Sequence, residues 1–295
     1  MAMVNGEAMR IRKRATDYTL EMLPQNRKEV FFDVLKLHFW NLIKLGLVML
    51  LFSLPLHLAA IGEDIITGSI YAQIQGATPE LQQGGYITIL AVKILRAAVS
   101  TLLTPVFAVG LAGILRVVRQ YGWGENVFLA TDFVKGIRQN WKQIAGLQFL
   151  LGLIYTLSLL AQQLADLSTG AVAWLMHIPM AVFMLVILPV AGYAAAGIPV
   201  YSTGLFSHFG AGLQIYIKKL FSTLLGVLCT MMIYLPLLIP NLYVHIFGRI
   251  IASLLTPIAL LGWCLFCYNQ QDKFINPNQY PELIGKGTIS AMEIE

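Results

Sequence analysis

The stretch DFVKGIRQNWKQ (residues 132–143) is a short amphipathic segment between two long apolar ones. Leu129, Phe133, Ile137 and Trp141 recur at near-helical spacing, while basic residues occupy another face. A helix with a basic face, an apolar face and a tryptophan near one end is typical of a membrane interface. We therefore predict an interfacial helix here, in preference to an ordinary surface helix of a soluble domain.

The composition indicates a polytopic membrane protein. Of its 295 residues, 57% are hydrophobic and 12% are charged, and the mean hydropathy is +0.71. Soluble domains carry about 25% charged residues. The lipid bilayer is therefore the first predicted partner. The net charge of +5 belongs to loops beside apolar segments, so we predict no nucleic-acid partner.

Six apolar segments are long enough to cross a hydrocarbon core about 30 Å thick, which needs about 20 helical residues. The predicted spans are residues 42–61, 97–115, 144–164, 171–199, 220–240 and 250–268. They make an all-α integral membrane domain over residues 30–270, between a basic tail (1–29) and a C-terminal tail (271–295). A second interfacial helix is predicted over 30–41, and an outer loop over 62–96, of which 62–86 is Gly/Gln-rich. The fourth span holds three prolines and must tilt, kink or continue past the bilayer.

The positive charges predict the orientation. All Lys and Arg residues except Lys93, Arg96 and Arg249 lie in the N-terminal region up to Lys44, in the 116–143 and 201–219 loops, or after the sixth span. Because positive residues concentrate on the cytoplasmic side, both termini are predicted to be cytoplasmic. The predicted location is the bacterial plasma membrane.

Several segments of the chain are alike. TLLTPVFAVG (101–110) matches SLLTPIALLG (253–262), and PVFAVGLAGI (105–114) is similar to PVAGYAAAGI (189–198). DFVKGIRQNWK (132–142) has a weaker counterpart in HFGAGLQIYIK (208–218). We therefore predict a threefold internal repeat, in which each unit has an interfacial helix, an outward span and an inward span.

Metal, redox and catalytic sites are not predicted. His57, His177 and His245 fall near the outer ends of spans, without a local ligand motif. Cys264 and Cys267 form an isolated pair inside a span, so we favour packing over redox chemistry. The sequence has no P-loop, nucleophile elbow or HExxH motif. We expect no cofactor and no enzymatic activity.

Uncharged polar residues inside the spans have two interpretations. They can bind a sugar or another neutral solute, or they can hydrogen-bond neighbouring helices, which is the commoner use. The candidate solute-path residues are Thr104, Gln148, Tyr193 and Thr256. The spans lack buried acids, which argues against proton-coupled or sodium-coupled transport.

The chain resembles the YesL-like family of bacterial membrane proteins, a domain of unknown function. The resemblance is carried by FWNLIKLGLVMLLFSLP (39–55), TPVFAVGLAGILRVVRQ (104–120), DFVKGIRQNWKQ (132–143) and the closing KFINPNQYPELIGKG (273–287). Members are commonly encoded beside carbohydrate-uptake systems. The resemblance therefore implies an accessory role in sugar uptake or utilisation, with components of such a system as partners. The family offers no established catalytic residues.

Two functional hypotheses follow. The first is a membrane component that acts through partners, which dock on cytoplasmic helices around 129–143 and 205–217. The residues of the predicted docking face are Leu129, Phe133, Ile137, Arg138, Trp141 and Lys142. The alternative is a solute channel or facilitator, with a path between the three helix pairs. A lipid-modifying enzyme is least favoured, because no recognisable acid–base pair lies at either interface.

Overall fold

The structure, a computed structural model, describes residues 24–166 and 168–288, and this part of the chain is all-helical, without a β-strand. The α-helices are α1 Arg27–Ile74, α2 Pro79–Gly122, α3 Leu129–Asp166, α4 Ala171–Val182, α5 Leu188–Gly197, α6 Leu205–Lys218, α7 Leu220–Met231, α8 Leu242–Phe274 and α9 Asn276–Gln279. A π-helical segment, Phe183–Ile187, joins α4 to α5. Short 3-10 helices follow α7 (Met232–Leu238) and α9 (Pro281–Leu283).

Six helical stretches in the described residues are long and apolar enough to cross a membrane. They are Arg27–Ile74, Pro79–Gly122, Leu129–Ala165, Ala171–Gly197, Leu220–Leu238 and Leu242–Phe274. The prediction of an all-helical chain with six candidate spans is therefore confirmed. Most of the predicted basic tail, up to residue 23, and the last seven residues of the C-terminal tail lie outside the described residues.

The first two helices are much longer than their predicted spans. With 48 residues, α1 is about 72 Å long, more than twice the thickness of a hydrocarbon core. The prediction of a loop over 62–96 is wrong, because only residues 75–78 separate α1 from α2. Glycine costs about 1 kcal/mol in a helix, and contacts between the two helices offset that cost. Ile74 packs against Gly85, and Arg96 Nε lies 3.3 Å from Glu63 Oε2.

Two of the predicted interfacial segments are continuous with spans. No proline interrupts residues 129–166, and DFVKGIRQNWKQ forms the early turns of α3. The 30–41 segment belongs to α1, although His38 breaks the helix with φ −124° and ψ 15°. The imidazole of His38 stacks on Tyr121 of α2, with 4.5 Å between ring centroids. Of the three predicted segments, only 205–218 forms a separate helix, α6.

The fourth span contains a π-helical segment where its prolines predict a disturbance. Pro189 has no N–H, so it cannot donate the usual helical hydrogen bond to the carbonyl of Leu185. The chain widens into a π-turn just before this proline, and Leu188 N–H donates to the carbonyl of Phe183. The hydroxyl of Tyr216 on α6 donates to the Leu185 carbonyl, which anchors α6 to the π-helical segment.

The core lies where α1, α2 and α8 meet. Its largest fully buried side chains include Leu42, Leu45, Met49, Ile114, Leu115 and Leu261. Gly46 allows the closest approach, since a Cβ at this position would lie 2.2 Å from the carbonyl oxygen of Leu254. In contrast, Thr223 is the only buried residue of α7. The span 220–238 therefore lies at the periphery of the bundle, as does α4, which has no buried residue.

Candidate functional site

The two ends of the described chain meet at one end of the bundle. Arg27 Nη2 lies 2.8 Å from Asp272 Oδ2, and the two side chains are 10% and 15% exposed. Asn276 Nδ2 donates to Asp272 Oδ1 at 2.8 Å, so the segment after α8 is bound to the same ion pair. We call this end, which comprises residues 24–38, 119–143, 199–219 and 268–288, the terminal face. The opposite end of the bundle is the far face.

The predicted docking face on α3 is divided in two. Leu129 and Phe133 are half-buried and pack against the core, and Ile137 is also half-buried. The ring of Phe133 fills the space beside Gly113 on α2, where a Cβ would lie 2.5 Å from the ring. Of the six residues of the predicted docking face, Arg138, Trp141 and Lys142 are the ones that remain exposed on the terminal face.

A close helix crossing explains this division. A Cβ on Gly136 would lie 2.9 Å from the carbonyl oxygen of Ala112 and 3.1 Å from Gly113 Cα, so α3 touches the backbone of α2. Arg116 donates a hydrogen bond to the side chain of Gln139 beside this crossing. The apolar stripe of α3 is therefore used inside the molecule, and the basic and aromatic side chains remain available to a partner.

The separate helix α6 also has one buried and one exposed side. His208, Gly212, Ile215 and Tyr216 are buried against the bundle. The exposed side carries large apolar side chains, namely Phe206 (83% exposed), Leu213 and Ile217 (69%). The apolar stripe of α6 is therefore exposed on the terminal face, whereas the apolar stripe of α3 is covered by α2.

A small polar pocket lies under α6. His208 is 4% exposed, and its Nε2 lies 3.2 Å from Thr203 Oγ1. Burial lowers the pKa of His208, although a hydrogen bond with the backbone of Thr203 opposes this effect. Tyr201 donates to Asn276 Oδ1 at 2.7 Å. Its pKa is raised by burial and, to a smaller extent, by the negative charge of Asp272. At about 50 Å³, the pocket has room for a few water molecules.

Three of the four candidate solute-path residues have structural hydrogen bonds, and the first two of these are Thr104 and Tyr193. Thr104 Oγ1 donates at 2.7 Å to the carbonyl of Thr101, the one that Pro105 leaves without its helical N–H donor. Tyr193 Oη lies 2.9 Å from Thr223 Oγ1 on α7, and both groups are buried. These hydroxyls hold helices in place, as polar groups in membrane helices commonly do.

The other two candidates, Gln148 and Thr256, line a cavity of about 200 Å³ at the centre of the bundle. Helices α2, α3, α5 and α8 and the 220–238 span form its walls. Thr256 Oγ1 donates to the carbonyl of Ala252 at 2.8 Å. The Gln148 carboxamide makes no hydrogen bond to any described residue. Most of the other lining side chains are apolar. The four candidates therefore do not form a continuous polar path.

Charged residues form ion pairs at the far face, and these pairs were not predicted from the sequence. Asp64 Oδ2 lies 2.9 Å from His245 Nδ1 and 3.5 Å from Arg249 Nη2, so α1 is tied to the start of α8. Beside them, Glu63 pairs with Arg96. The sequence contains one indication of these ion pairs, because His245 and Arg249 lie one turn apart on a helix and can face the same acidic residue. Which acid they meet depends on the tertiary fold.

A second polar cluster joins α1 to α8 deeper in the bundle. His57 Nε2 lies 2.9 Å from Ser53 Oγ and 2.8 Å from Ser253 Oγ, and the two serine oxygens are 3.2 Å apart. Because Ser53 and Ser253 are 3% and 5% exposed, this cluster is a helix–helix contact. In the part of the chain that the structure describes, no group of three or more His, Cys, Asp or Glu residues is placed to hold a metal ion.

The described residues thus offer two candidate functional features. One is the set of exposed basic and aromatic side chains on the terminal face, and the other is the apolar cavity around Gln148. Comparison of the chain with protein-family models, with curated proteins and with solved structures finds no match in any of the three.

Proposed function

We propose that the protein is a non-enzymatic, multi-pass membrane component that acts through partners in carbohydrate uptake or utilisation. The observation that carries this proposal is the exposure of Arg138, Trp141 and Lys142 on the terminal face. The link to carbohydrate rests on the resemblance of the quoted segments to the YesL-like family. With both termini in the cytoplasm of a bacterial cell, the terminal face meets cytoplasmic or membrane components of a sugar-uptake system.

The rigidity of α3 supports a docking role. Its crossing with α2 at Gly136 leaves little freedom for the early turns of the helix. A preorganised surface loses little conformational entropy when a partner binds. Tryptophan and arginine are also the residues that most often dominate binding energy at protein interfaces. A partner surface with acidic and apolar groups fits Arg138, Trp141 and Lys142.

Site-specific photo-crosslinking tests the proposal. p-Benzoylphenylalanine replaces Lys135, an exposed residue one turn before Arg138, in cells that take up carbohydrate, and Gln83, an exposed residue of the far face, serves as the matched control position. We expect a protein adduct at position 135 that contains a component of the sugar-uptake system, and none at position 83. Its yield should fall when Trp141→Ala and Lys142→Gln are added. Absence of such an adduct at 135, or an equal adduct at 83, would refute the docking face.

The internal contacts also support the threefold repeat that we propose. Phe133 packs on Gly113, and His208 Nδ1 would lie 3.0 Å from a Cβ on Gly197. Gly113 and Gly197 are matched positions in the similar segments 105–114 and 189–198. Phe31 of the first unit lies beside Gly262 of α8, which the matched segments 101–110 and 253–262 pair with Gly110, one turn before Gly113. Each amphipathic segment therefore packs on an inward span of the neighbouring unit, as a closed ring of three units requires.

A solute facilitator is the second candidate, and the cavity beside Gln148 and Thr256 is the observation that favours it. Because most of that cavity is apolar, we expect liposomes with the purified protein to take up radiolabelled glucose no faster than protein-free liposomes. Faster uptake that Gln148→Leu abolishes would support the facilitator and count against a role through partners alone.

A further inference from the structure

The cavity at the centre of the bundle has very little polar surface available to a ligand. Thr230 Oγ1 donates to the carbonyl of Gly226 at 2.8 Å, and Trp263 Nε1 donates to the carbonyl of Gly192 at 3.0 Å. Thr256 is likewise bonded to its own helix. The remaining polar groups of the lining are the carboxamide of Gln148 and the hydroxyl of Tyr234, which lies beside Thr256, among leucine, alanine, isoleucine and aromatic side chains.

Water is a poor occupant of such a space. An apolar cavity of about 150 Å³ stays dry and takes up apolar molecules, and this one has about 200 Å³. A bound water needs two to four polar partners, and the lining offers only a few polar side chains, chiefly Gln148, Tyr234 and Thr256. Close packing is the rule in protein interiors, so an apolar group is the expected occupant.

The cavity borders the span 220–238, in which Thr223 is the single buried residue. A groove on the other side of this span is lined by Gly226, Cys229, Ile258 and Gly262, and by Phe31 of α1. The groove and the cavity share four lining residues, namely Thr230, Ile233, Ala259 and Trp263. An apolar chain from the surrounding bilayer can therefore reach the cavity by passing between α7 and α8.

Positive charge lies at the terminal-face end of the same two helices. Lys218 and Lys219 precede α7 and are exposed, and their ammonium groups lie 5.0 and 5.9 Å from the ring centroid of Phe274 on α8. Basic residues at a membrane surface attract anionic lipid headgroups. The lysine pair and the groove are therefore placed as the two ends of a phospholipid site.

We propose that the cavity binds one acyl chain of an anionic phospholipid, whose phosphate is held by Lys218 and Lys219. This site is independent of the docking face on α3, and it does not require that the protein act in carbohydrate uptake.

Native mass spectrometry of the full-length protein in detergent, with added dioleoyl-phosphatidylglycerol, tests the site. We expect one tightly bound lipid per chain. Ala195 lines the cavity but not the outer groove, so Ala195→Leu should weaken binding at least tenfold by filling the space. Ala181→Leu, at an exposed position of α4, makes the same chemical change outside the site and should leave binding unchanged. Equal binding by both variants and the unaltered protein would refute the acyl-chain site.

The headgroup is tested separately. Dioleoyl-phosphatidylcholine has the same chains, and we expect it to bind at least fivefold more weakly than the anionic lipid. Replacing both Lys218 and Lys219 by Gln should remove this difference. Equal binding of the two lipids to the unaltered protein would overturn the assignment of the lysines.

A fluorescence measurement keeps the proposal testable if Ala195→Leu does not fold. Trp263 lines the cavity and is 7% exposed. In a variant that retains Trp263 as its single tryptophan, phosphatidylglycerol with brominated acyl chains should quench the fluorescence. Filling the cavity from α8 by Ala259→Leu should reduce the quenching at least twofold. Quenching that is absent, or that is unchanged in the filled variant, would refute the proposal.

Discussion

The hydroxyl of Tyr216 donates a hydrogen bond to the main-chain carbonyl of Leu185, the carbonyl to which Pro189 cannot donate. A residue of the separate amphipathic helix thereby stabilises the π-helical segment of a neighbouring span. Because a polar backbone group in lipid needs an internal partner, this contact fixes α6 on the bundle and also satisfies the freed carbonyl. The position of α6 therefore depends on an irregularity in another helix.

Tyr216→Phe tests this contact. The substitution keeps the ring and removes the donor, so we expect a loss of about 1 kcal/mol in the free energy of unfolding, the usual value of such a hydrogen bond. Thermal unfolding in detergent measures it. Tyr243→Phe, at a tyrosine that is 72% exposed, is the control and should change stability much less. Equal losses would show that the carbonyl of Leu185 does not depend on Tyr216.

Gly46→Ala should disrupt the contact between α1 and α8. Its Cβ would lie 2.2 Å from the carbonyl oxygen of Leu254, so the two backbones have to separate. Overpacking costs about 1–3 kcal/mol, and we expect a loss near the upper value. Gly68→Ala on the same helix is the control, since no atom lies within 4 Å of its Cβ position. It should raise stability by up to about 1 kcal/mol. Similar effects of the two substitutions would contradict the crossing at Gly46.

Acid should destabilise the protein in part through His208. Burial lowers the pKa of His208, whereas an unfolded histidine binds a proton near pH 6.5. The unfolded state therefore binds more protons as the pH falls below about 6.5, and stability decreases in that direction. We expect His208→Gln to lose less stability than the unaltered protein between pH 7.5 and 5.5, measured by thermal unfolding. His177→Gln, at an exposed histidine, should retain the full loss. An unchanged pH dependence in His208→Gln would exclude this contribution.

The orientation is tested by cysteine labelling in intact cells. We expect Gln83→Cys on the far face to react with a membrane-impermeant maleimide added outside. Lys142→Cys on the terminal face should react only after the membrane is made permeable, because positive residues favour the cytoplasmic side. The unaltered protein, with its own cysteines, supplies the background. Labelling of Lys142→Cys in intact cells would reverse the orientation and place the docking face outside.

The number of candidate spans could be predicted from the sequence because apolar length alone determines whether a helix can cross lipid. The ends of the helices could not, because they depend on neighbours. Residues 62–96 have the glycines and glutamines of a loop, yet Ile74 packs on Gly85 and keeps both helices intact. His38, in turn, breaks α1 without any proline or glycine, where its ring stacks on Tyr121.

The candidate sites likewise depend on contacts between distant segments, which the local sequence patterns do not predict. The spacing of Leu129 and Phe133 predicts a shared helix face, but not that α2 covers it. The pairing of Asp64 with His245 joins residues that are 181 positions apart, and local patterns carry no information about such a contact. The cavity depends on how far α7 stands from α8. The distance between α7 and α8 is set by how all the helices pack together, so it cannot be read from the sequence of either helix.

The length of α1 has a mechanical consequence. From Gly46 to Asp64 the helix rises about 27 Å at 1.5 Å per residue. Along that length it is attached to α8 by the contact of Gly46 with Leu254, by the cluster of His57 with two serines and by the ion pairs of Asp64. A force on the hairpin tip therefore moves α1 and α8 together, because α1 cannot tilt alone at His38.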